Sequence, residues 1–502
     1  MEVRNTRISD SDPLKGTNRS TVVLLSLLVV FLLSMNSFGP AHASAPPSIN
    51  PEPASLVIGQ ANFTANASRS GPAGLSEPEF VAFDHSGDLW VSDYNNSLAA
   101  EYTPPFTTGE SASLEVGSAS FSTTGCAGTG AENVCSPHGI AFDPSGNLWV
   151  SDSENSSIVE FQAPFTTGEK SSVVLGEYSD GQPNATNLDE PFGIAFDSSG
   201  NLWVADSNDN RIVEYKAPLT SDEGASLVLG QTSLTSATDN VAQANMSGPE
   251  DIAFDRSGNL WVADTENSRI LEFFAPFSDG ERASEVIGEP NFNSFGGNDT
   301  QSTVALPEAI AFDHSGDLWV SDSGNSRVLE FPAALTAGEN ASDLIGQYSY
   351  FYGGPNSTRY QLGYPDGIAF DSSGNLWVAD SGYARVLEYS NPLTYKPSST
   401  TSSSTTSSSS QTATMSTTVV VATSRSVITT TPAASNTTSV VTTSSPIATT
   451  SAASTASTSS TSSKSGGGVP VFPYQFSAAA IFTFVLAASY LLIRRRTALK
   501  VR

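Results

Sequence analysis

One phrase of the sequence recurs six times and constrains the fold more than any other feature. Its clearest copy, at residues 367–381, reads GIAFDSSGNLWVADS. Successive copies follow each other at intervals of 54 to 59 residues. A period of this length indicates a repeat architecture in which neighbouring units bury one continuous core. All six tryptophans of the chain lie in this phrase: Trp90, Trp149, Trp203, Trp261, Trp319 and Trp377.

A second phrase alternates with the first, and its opening copy at residues 54–60 reads ASLVIGQ. Together the two phrases divide each unit into four short runs, which are rich in β-branched and aromatic residues and bounded by turn residues. The run Leu-Trp-Val-Ala is apolar without alternation, so a strand formed by it has to be covered on both faces. Four-stranded sheets packed face to face around an axis meet this requirement. The sequence therefore predicts an all-β fold, a six-bladed β-propeller with four-stranded blades.

The order of the runs also predicts how the ring closes. The chain opens with a run of the fourth type at residues 54–60 and ends the repeats with a run of the third type at residues 385–389. The last unit therefore lacks its outer strand, while the first run has no unit of its own. We expect these two runs to pair, which completes the sixth blade and removes two exposed sheet edges.

The repeat resembles that of the NHL family, whose pattern is P-x-G-I-A-x-D followed by D-G-x-L-W-V-A-D-S-x-N-x-R-[IV]. The resemblance covers about two thirds of the chain and implies a six-bladed propeller with the Ile-Ala-Phe-Asp strand nearest the axis. Leu98 and Ser157 depart from the pattern, because they replace its arginine in the first two copies. The arginine is present as Arg211, Arg269, Arg327 and Arg385. The aspartate that ends the preceding run is present in all six copies: Asp93, Asp152, Asp206, Asp264, Asp322 and Asp380. We expect a charge-assisted hydrogen bond between the two side chains across a hairpin, with a structural role.

The N-terminal region has the layout of a secretory signal. Polar residues 1–20 precede an apolar run at 21–35, and residues 41–43 read AHA, a small-x-small cleavage pattern. This predicts a signal peptide over residues 1–43. The alternative is an uncleaved N-terminal anchor, because the leading polar region is long.

The composition changes sharply after the repeats, which we assign to a propeller domain over residues 46–396. Residues 397–468 are almost all Ser, Thr, Ala, Val and Gly, a composition that cannot bury a core and predicts a disordered stalk. An apolar stretch at 469–493 predicts a transmembrane helix, and the basic residues in 494–502 place that tail in the cytoplasm. The alternative for 469–493 is a processed sorting signal. Either way, we expect the propeller at the cell surface, anchored to the membrane and extracellular.

Two further patterns agree with an exported protein. Cys126 and Cys135 are the two cysteines of the chain, and in an oxidising compartment they would form a disulfide; the alternative is two free thiols. N-glycosylation sequons occur in the propeller at Asn62, Asn66, Asn95, Asn155, Asn184, Asn245, Asn298, Asn340 and Asn356. The predicted strand order puts all of these except Asn340 on one face, which we call the top face.

The net charge of −29 limits the classes of partner. A chain this acidic repels phosphate backbones, so nucleic acid is excluded, whereas cations and basic surfaces are favoured. The copies of the first phrase differ most immediately after the proline that opens each unit. Those residues are Glu79, His138, Phe192, Glu250, Glu308 and Asp366, with Asp251 beside Glu250. On the predicted fold they converge on the channel mouth of the top face. Glu79, His138, Glu250, Glu308 and Asp366 therefore predict a site for Ca²⁺ or Mg²⁺. The alternative is an acidic surface that binds no ion.

Enzyme functions are limited by the supply of histidine. The NHL resemblance implies comparison with amidating lyases, which hold zinc with several histidines, but His138 is the one histidine that the predicted fold puts at the mouth. The sequence contains no nucleophile elbow, P-loop or zinc-spaced cysteine pairs. We therefore predict a non-catalytic module that binds a protein, a glycan or a small molecule. One alternative is a metal-dependent lyase or hydrolase of the lactonase or streptogramin-lyase type with His138 as base. The other is a structural envelope glycoprotein.

Overall fold

The computed structural model describes residues 51–122, 133–178, 183–333, 335–351 and 354–392. These residues form six four-stranded antiparallel sheets, and the first strands of successive sheets pack against each other in a closed ring. The predicted six-bladed β-propeller is confirmed. The signal, stalk, span and tail predictions (1–43, 397–468, 469–493 and 494–502) lie outside the described residues. Within the described ranges, no helix is long and apolar enough to cross a membrane.

Every blade runs from an inner strand at the axis to a short outer strand. The first strand of the chain is β1 (Leu56–Ile58). Blade 1 contains β2 (Pro78–Phe83), β3 (Leu89–Asp93), β4 (Leu98–Tyr102) and β5 (Leu114–Val116). Blade 2 contains β6 (Pro137–Phe142), β7 (Leu148–Asp152), β8 (Ser157–Phe161) and β9 (Val173–Leu175), and is followed by a parallel pair that the sequence did not predict, β10 (Glu177–Tyr178) and β11 (Asn187–Leu188). Blade 3 contains β12 (Pro191–Phe196), β13 (Leu202–Asp206), β14 (Arg211–Tyr215) and β15 (Leu227–Leu229). Blade 4 contains β16 (Pro249–Phe254), β17 (Leu260–Asp264), β18 (Arg269–Phe273) and β19 (Glu285–Ile287). Blade 5 contains β20 (Pro307–Phe312), β21 (Leu318–Asp322), β22 (Arg327–Phe331) and β23 (Asp343–Ile345). Blade 6 contains β24 (Pro365–Phe370), β25 (Leu376–Asp380), β26 (Arg385–Tyr389) and the N-terminal β1.

The tryptophan and the phenylalanine of the repeated phrase build the core between blades. Trp90 of blade 1 packs edge-on against Phe142 of blade 2, with ring centroids 6.1 Å apart. Trp377 of blade 6 makes the same contact with Phe83 of blade 1 at 5.7 Å, so the series closes on itself. Edge-to-face pairs are a favoured arrangement of aromatic rings. The second strands, which carry the tryptophans, are buried along their whole length, as their unbroken apolar sequence predicted.

The ring is closed by pairing of the two ends of the repeat region, as predicted. Strand β1 pairs antiparallel with β26, and Leu56 lies opposite Glu388. Val57 and Ile58 are fully buried in this closing sheet. The Ser55 hydroxyl donates to the Glu388 carboxylate at 2.8 Å. We call the β1–β26 pairing the closing latch.

The turn between the first and second strands is held by its first aspartate. In blade 2, Asp143 Oδ1 accepts hydrogen bonds from the backbone N–H groups of Ser145 at 2.8 Å and Asn147 at 2.9 Å. The Asn147 side-chain amide then donates to both Asp143 and Glu160. Blades 1 and 5 carry Asp88 and Asp317 in place of this asparagine. Each of those turns therefore gathers three carboxylates: Asp84, Asp88 and Glu101 in blade 1, and Asp313, Asp317 and Glu330 in blade 5.

Candidate functional site

The loops that connect one blade to the next lie on the top face together with the hairpins between second and third strands. In blade 1 the backbone N–H of Tyr94, in the hairpin, donates to the carbonyl of Glu77, in the loop, at 3.1 Å. In blade 3 the backbone N–H of Asn208, in the hairpin, likewise donates to the carbonyl of Asp189, in the loop, at 3.1 Å. We call these connections the interblade loops and number them by the blade that they enter. Loops on a rigid scaffold are the usual place of binding sites.

The predicted Asp–Arg pairs are present in the four blades that contain the arginine. Nε of Arg269 donates to Oδ2 of Asp264 at 2.6 Å, and the other three pairs lie at 2.5 to 2.7 Å. Both side chains of each pair are completely buried. A buried ion pair is stable where further hydrogen bonds satisfy its remaining donors, and those bonds come from the interblade loops.

Each of these arginines binds two successive interblade loops. The guanidinium of Arg269 donates to the carbonyl of Asn245 in loop 4 at 3.0 Å and to that of Phe292 in loop 5 at 2.6 Å. Arg211 does the same with Asn187 in loop 3 and Leu234 in loop 4. The equivalent bonds of the other two arginines join loops 5 and 6 (Arg327) and loops 6 and 1 (Arg385). We call this arrangement the arginine clamp.

Blades 1 and 2 keep the buried aspartate without the arginine. Asp93 accepts hydrogen bonds from the Asn96 amide at 2.7 Å and from the backbone N–H of Ser76 at 2.9 Å. Burial raises the pKa of Asp93 to about 7 and that of Asp152 to about 6, while the hydrogen bonds from Asn96 and Asn155 lower the two pKa values in part.

The channel mouth is shaped by a β-bulge at the start of every inner strand. In blades 1, 2, 3 and 6 the register shifts over three residues from the opening proline, and in blades 4 and 5 over two. A bulge redirects the side chain that it carries. Accordingly, Glu79, His138, Phe192 and Asp366 are buried, whereas Glu250 and Glu308 are half-buried.

Two of the predicted metal ligands lie next to each other. His138 Nδ1 is 3.6 Å from Glu79 Oε2, and the His138 side chain is 1% exposed. The imidazole lies over the Phe192 ring with a centroid distance of 3.8 Å, and the Tyr94 ring packs on its edge at 5.0 Å. His138 is thus enclosed by aromatic rings, an environment that holds it in place and separates it from solvent.

Asp251, beside Glu250, joins two inner strands. Its Oδ2 accepts a hydrogen bond from the backbone N–H of Ile310, in the next blade, at 2.9 Å. A Cβ at Gly193, on the preceding inner strand, would lie 2.4 Å from Oδ1 of Asp251, so this close approach requires glycine. Burial raises the pKa of Asp251 to about 7. The hydrogen bond from Ile310 thus gives the Asp251 carboxylate a structural role inside the channel wall.

Comparison with protein families agrees with this geometry. The model of the NHL repeat matches residues 134–161 and 188–215, which carry the first three strands of blades 2 and 3. A second model, described as the SMP-30/Gluconolactonase/LRE-like region, matches residues 219–395. The first match falls on the repeated phrase, within a closed ring of six blades. The chain thus contains NHL repeats within a six-bladed β-propeller.

Similar proteins share a part of this NHL propeller. The chain is 24% identical over 291 residues to Teneurin-1 of Mus musculus, a match that covers 49% of this chain and 10% of the teneurin. It is 25% identical over 258 residues to the Peptidyl-glycine alpha-amidating monooxygenase of Mus musculus, covering 48% of this chain and 24% of that protein. Among solved structures it is similar to a streptogramin B lyase, with a TM-score of 0.39 and 15% identity, over 64% of this chain and 95% of the lyase. The chain thus spans a quarter or less of the length of these two curated relatives.

The five predicted metal ligands of the NHL propeller do not meet in one place. Over the described ranges, three or more candidate ligand atoms lie within 4.8 Å of one another at two places, and both are the acidic turns of blades 1 and 5 on the face opposite the mouth. No three of the five predicted ligands form such a group in this arrangement, and the metal site at the mouth stays a prediction. The acidic turns were not predicted from the sequence, because Asp and Asn are interchangeable in a turn pattern.

The cysteine and sequon predictions are only partly covered by the structure. Cys135 is buried and is not a free thiol, whereas Cys126 lies outside the described residues, so the bridge between them stays a prediction. Seven of the nine sequon asparagines are exposed, and Asn155 and Asn245 are half-buried. The Asn155 amide nitrogen, to which a glycan would be attached, donates to Asp152 at 2.9 Å. Glycosylation stays a prediction at all nine positions.

Two surfaces of the top face differ in character. In blades 1 to 4 a glutamate beside the mouth hydrogen-bonds to a loop or hairpin side chain, for example Glu77 with Asn95 at 2.6 Å and Glu190 with Asn208 at 2.6 Å. We call Glu77, Glu154, Glu190 and Glu266 the acidic rim. Loops 5 and 6 instead expose the large apolar side chains of Phe295 (67%), Tyr348 (51%) and Phe351 (51%).

Proposed function

We propose that this NHL propeller is a non-catalytic binding module, displayed at the cell surface, that uses its top face to bind a partner with a basic surface. The arginine clamp is the observation that carries the proposal. Four buried guanidinium groups hold five of the six interblade loops through backbone carbonyls. Loops ordered before binding lose little conformational entropy when a partner is bound, which favours affinity.

The composition of the top face supports a basic partner. The acidic rim lies on a chain with a net charge of −29, so its potential attracts positive surfaces and accelerates association. The aromatic side chains of loops 5 and 6 provide the apolar contact area that protein interfaces concentrate at their centre. The teneurin similarity is compatible with an interaction role. The placement outside the cell follows from the predicted signal peptide, stalk and span.

A soluble basic peptide tests this proposal on the full chain. We expect deca-lysine to bind saturably at low ionic strength and to be released by about 0.5 M salt, because exposed charges are screened over a few ångströms there. A variant with Glu77→Gln, Glu154→Gln, Glu190→Gln and Glu266→Gln should bind at least about tenfold more weakly, and deca-glutamate should not bind. Equal binding by the variant, or no binding by the wild-type chain, contradicts the proposal.

A metal-dependent lyase or hydrolase is the second candidate, favoured by the SMP-30/gluconolactonase match over residues 219–395 and by the Glu79–His138 pair. Calorimetry with Ca²⁺ and Mg²⁺, and thermal unfolding with and without EDTA, separate the two candidates. Under the binding-module proposal neither ion binds at the channel mouth, so neither shifts the melting temperature by binding there. A shift that disappears in Glu79→Gln and survives in Glu101→Gln, a matched carboxylate of an acidic turn, would favour the enzyme.

A further inference from the structure

A cavity of about 400 Å³ lies between blades 4 and 5 on the face opposite the channel mouth. Trp261 and Phe312 line it from within, Leu335 lines it from blade 5, and Phe274, which is half exposed, lines its rim. This volume is within the range of small-molecule sites, roughly 300 to 1,000 Å³. The cavity is separate from the top face to which the proposed function belongs.

The cavity is explained by a departure of blade 5 from its neighbours. In blades 1, 2 and 4 a phenylalanine covers the tryptophan of the preceding blade at a centroid distance of 4.9 Å, as Phe277 covers Trp203. Blade 5 has Leu335 in this position, and the proline that precedes each phenylalanine is replaced by Ala334. The sequences of blades 3 and 6 also have a leucine here, Leu219 and Leu393, but keep the proline. Because a leucine side chain is smaller than a phenyl ring, space remains over Trp261.

The indole of Trp261 presents a hydrogen-bond donor without an acceptor. In blades 2, 3, 5 and 6 the tryptophan Nε1 lies 3.2 to 3.5 Å from the aspartate of the adjacent turn. Trp261 is 3% exposed, and its Nε1 forms no hydrogen bond within the described part of the chain. Trp90 shares this property, but the Phe165 ring covers it. An unpaired buried donor is costly, so an acceptor atom on a ligand would relieve that cost.

Three carboxylates line the same cavity: Asp255, Glu272 and Glu285. Glu272 is held by long hydrogen bonds, from Ser284 at 3.4 Å and from Asn259 at 3.3 Å, whereas the equivalent serine bond to Glu101 in blade 1 measures 2.6 Å. Burial, followed by the charges of Asp255 and Glu285, raises the pKa of Glu272 to about 7.

Within the described ranges, no lysine or arginine forms an ion pair with any of the three carboxylates. The neighbouring Arg256 donates to the backbone carbonyl of His314 instead. A cation placed between these carboxylates would therefore relieve their mutual repulsion.

We propose that this cavity binds a small organic ammonium ion whose aromatic or aliphatic body also carries one hydrogen-bond acceptor. The ammonium group binds the carboxylates of Asp255, Glu272 and Glu285. The apolar body lies against Trp261 and Phe312, where a cation near the indole face gains a further attraction. The acceptor oxygen receives the N–H of Trp261. The class is that of phenolic or amide-bearing primary amines, and the proposal goes beyond the function of the top face.

Tyramine is a suitable probe, because it combines a primary amine, an aromatic ring and a phenolic oxygen. Titrated into the full chain, it should bind at one site with Kd in the range of about 0.1 to 1 mM, typical of a fragment-sized ligand. Phenethylamine, which lacks the oxygen, should bind several-fold more weakly. The anion 3-(4-hydroxyphenyl)propionate should not bind. Equal binding of the anion, or no saturable binding of tyramine, overturns the proposal.

Substitutions that copy or match residues of other blades test whether tyramine binds in this cavity. Leu335→Phe restores the residue of blades 1, 2 and 4, and should abolish tyramine binding while the melting temperature is kept or raised. Glu272→Gln should weaken binding about tenfold, whereas Glu160→Gln, at the equivalent position of blade 2, should leave it unchanged. If Leu335→Phe folds poorly, the pair of glutamate variants still decides the matter. Binding that is unaffected by Glu272→Gln places tyramine elsewhere and overturns the proposal.

Discussion

Nε of Arg269 lies 2.6 Å from Oδ2 of Asp264, and neither side chain is exposed to solvent. The same guanidinium holds carbonyls of loops 4 and 5. Replacement of Arg269 by leucine, which blade 1 carries as Leu98, leaves Asp264 buried without a cationic partner, held by its hydrogen bonds from Ser247 and Asn267 alone. We expect the free energy of unfolding to fall by about 3 to 5 kcal/mol, measured by urea denaturation. The double variant Arg269→Leu/Asp264→Asn should recover part of this loss, and a loss below 1 kcal/mol in the single variant would contradict the buried-pair interpretation.

The acidic turn of blade 1 predicts a stabilising substitution. Asp88 occupies the position at which Asn147 of blade 2 joins two carboxylates through its amide. Burial and the charges of Asp84 and Glu101 raise the pKa of Asp88 above its ordinary value. We expect Asp88→Asn to raise stability by about 1 kcal/mol at pH 7, the value of a typical hydrogen bond.

The pH dependence of the Asp88→Asn effect follows from the direction of the pKa shift. An aspartate whose folded-state pKa is raised imposes no cost below its unfolded pKa, near 4, and a growing cost as the pH rises through the folded value. The gain from Asp88→Asn should therefore vanish below about pH 4 and be complete at neutral pH. Thermal unfolding between pH 3 and 8 measures it. The reverse substitution, Asn147→Asp, should destabilise with the same pH profile, and a gain that is constant with pH would contradict the explanation.

The closing latch predicts that a short N-terminal deletion opens the ring. Val57 and Ile58 are fully buried in the sheet that β1 completes. Each such side chain contributes roughly 1.5 to 3 kcal/mol through burial, so deletion of residues 51–60 should lower the free energy of unfolding by more than about 4 kcal/mol and promote aggregation through the exposed edge of β26. A peptide of residues 51–62 added in trans should restore the melting temperature. Ser55→Ala, which removes only the exposed hydroxyl contacts to Glu388, should change stability little.

Much of this architecture could be predicted from the sequence, and the reasons are local. The phrase around Trp203 defines two strands and the turn between them, and Arg211 and Asp206 face each other across one hairpin. The loop carbonyls that Arg211 also holds belong to Asn187 and Leu234, in loops that have no repeated pattern. Their positions are set by packing between blades and leave no periodic signal.

The channel mouth was less predictable because it depends on bulges. The strand order predicted that Glu79 and His138 lie close together. The register shift buries these two side chains and leaves Glu250 half-buried, and this shift cannot be recognised from the types of residue in the sequence. The cavity beside Trp261 escaped prediction for a similar reason. Leu335 is unremarkable within the connection between β22 and β23, and its size matters because it lies over a tryptophan of the neighbouring blade.

Interblade loop 2, residues 117–136, stands between the two blades that lack the clamp arginine and contains both cysteines. We expect the predicted Cys126–Cys135 bridge to replace the missing clamp there. The double variant Cys126→Ser/Cys135→Ser, or reduction of the wild-type chain, should cost about 2 to 3 kcal/mol, the value for a loop of this length. Hydrogen exchange should become faster in loop 2 and stay unchanged in loop 4. Two free thiols in the oxidised protein, measured by thiol titration, would contradict this.

The clamps have a mechanical consequence for the whole ring. Because every clamp arginine joins two neighbouring loops, Arg211, Arg269, Arg327 and Arg385 connect loops 3, 4, 5, 6 and 1 into a single open series, as links do in a chain. A displacement of any one of these loops is transmitted to the neighbouring loop through the guanidinium that both bind. The series has two ends, loop 3 and loop 1, which lie on either side of loop 2. The ring is therefore sixfold in its blades but not in these links: within the described residues, five loops share clamp guanidinium groups and loop 2 shares none.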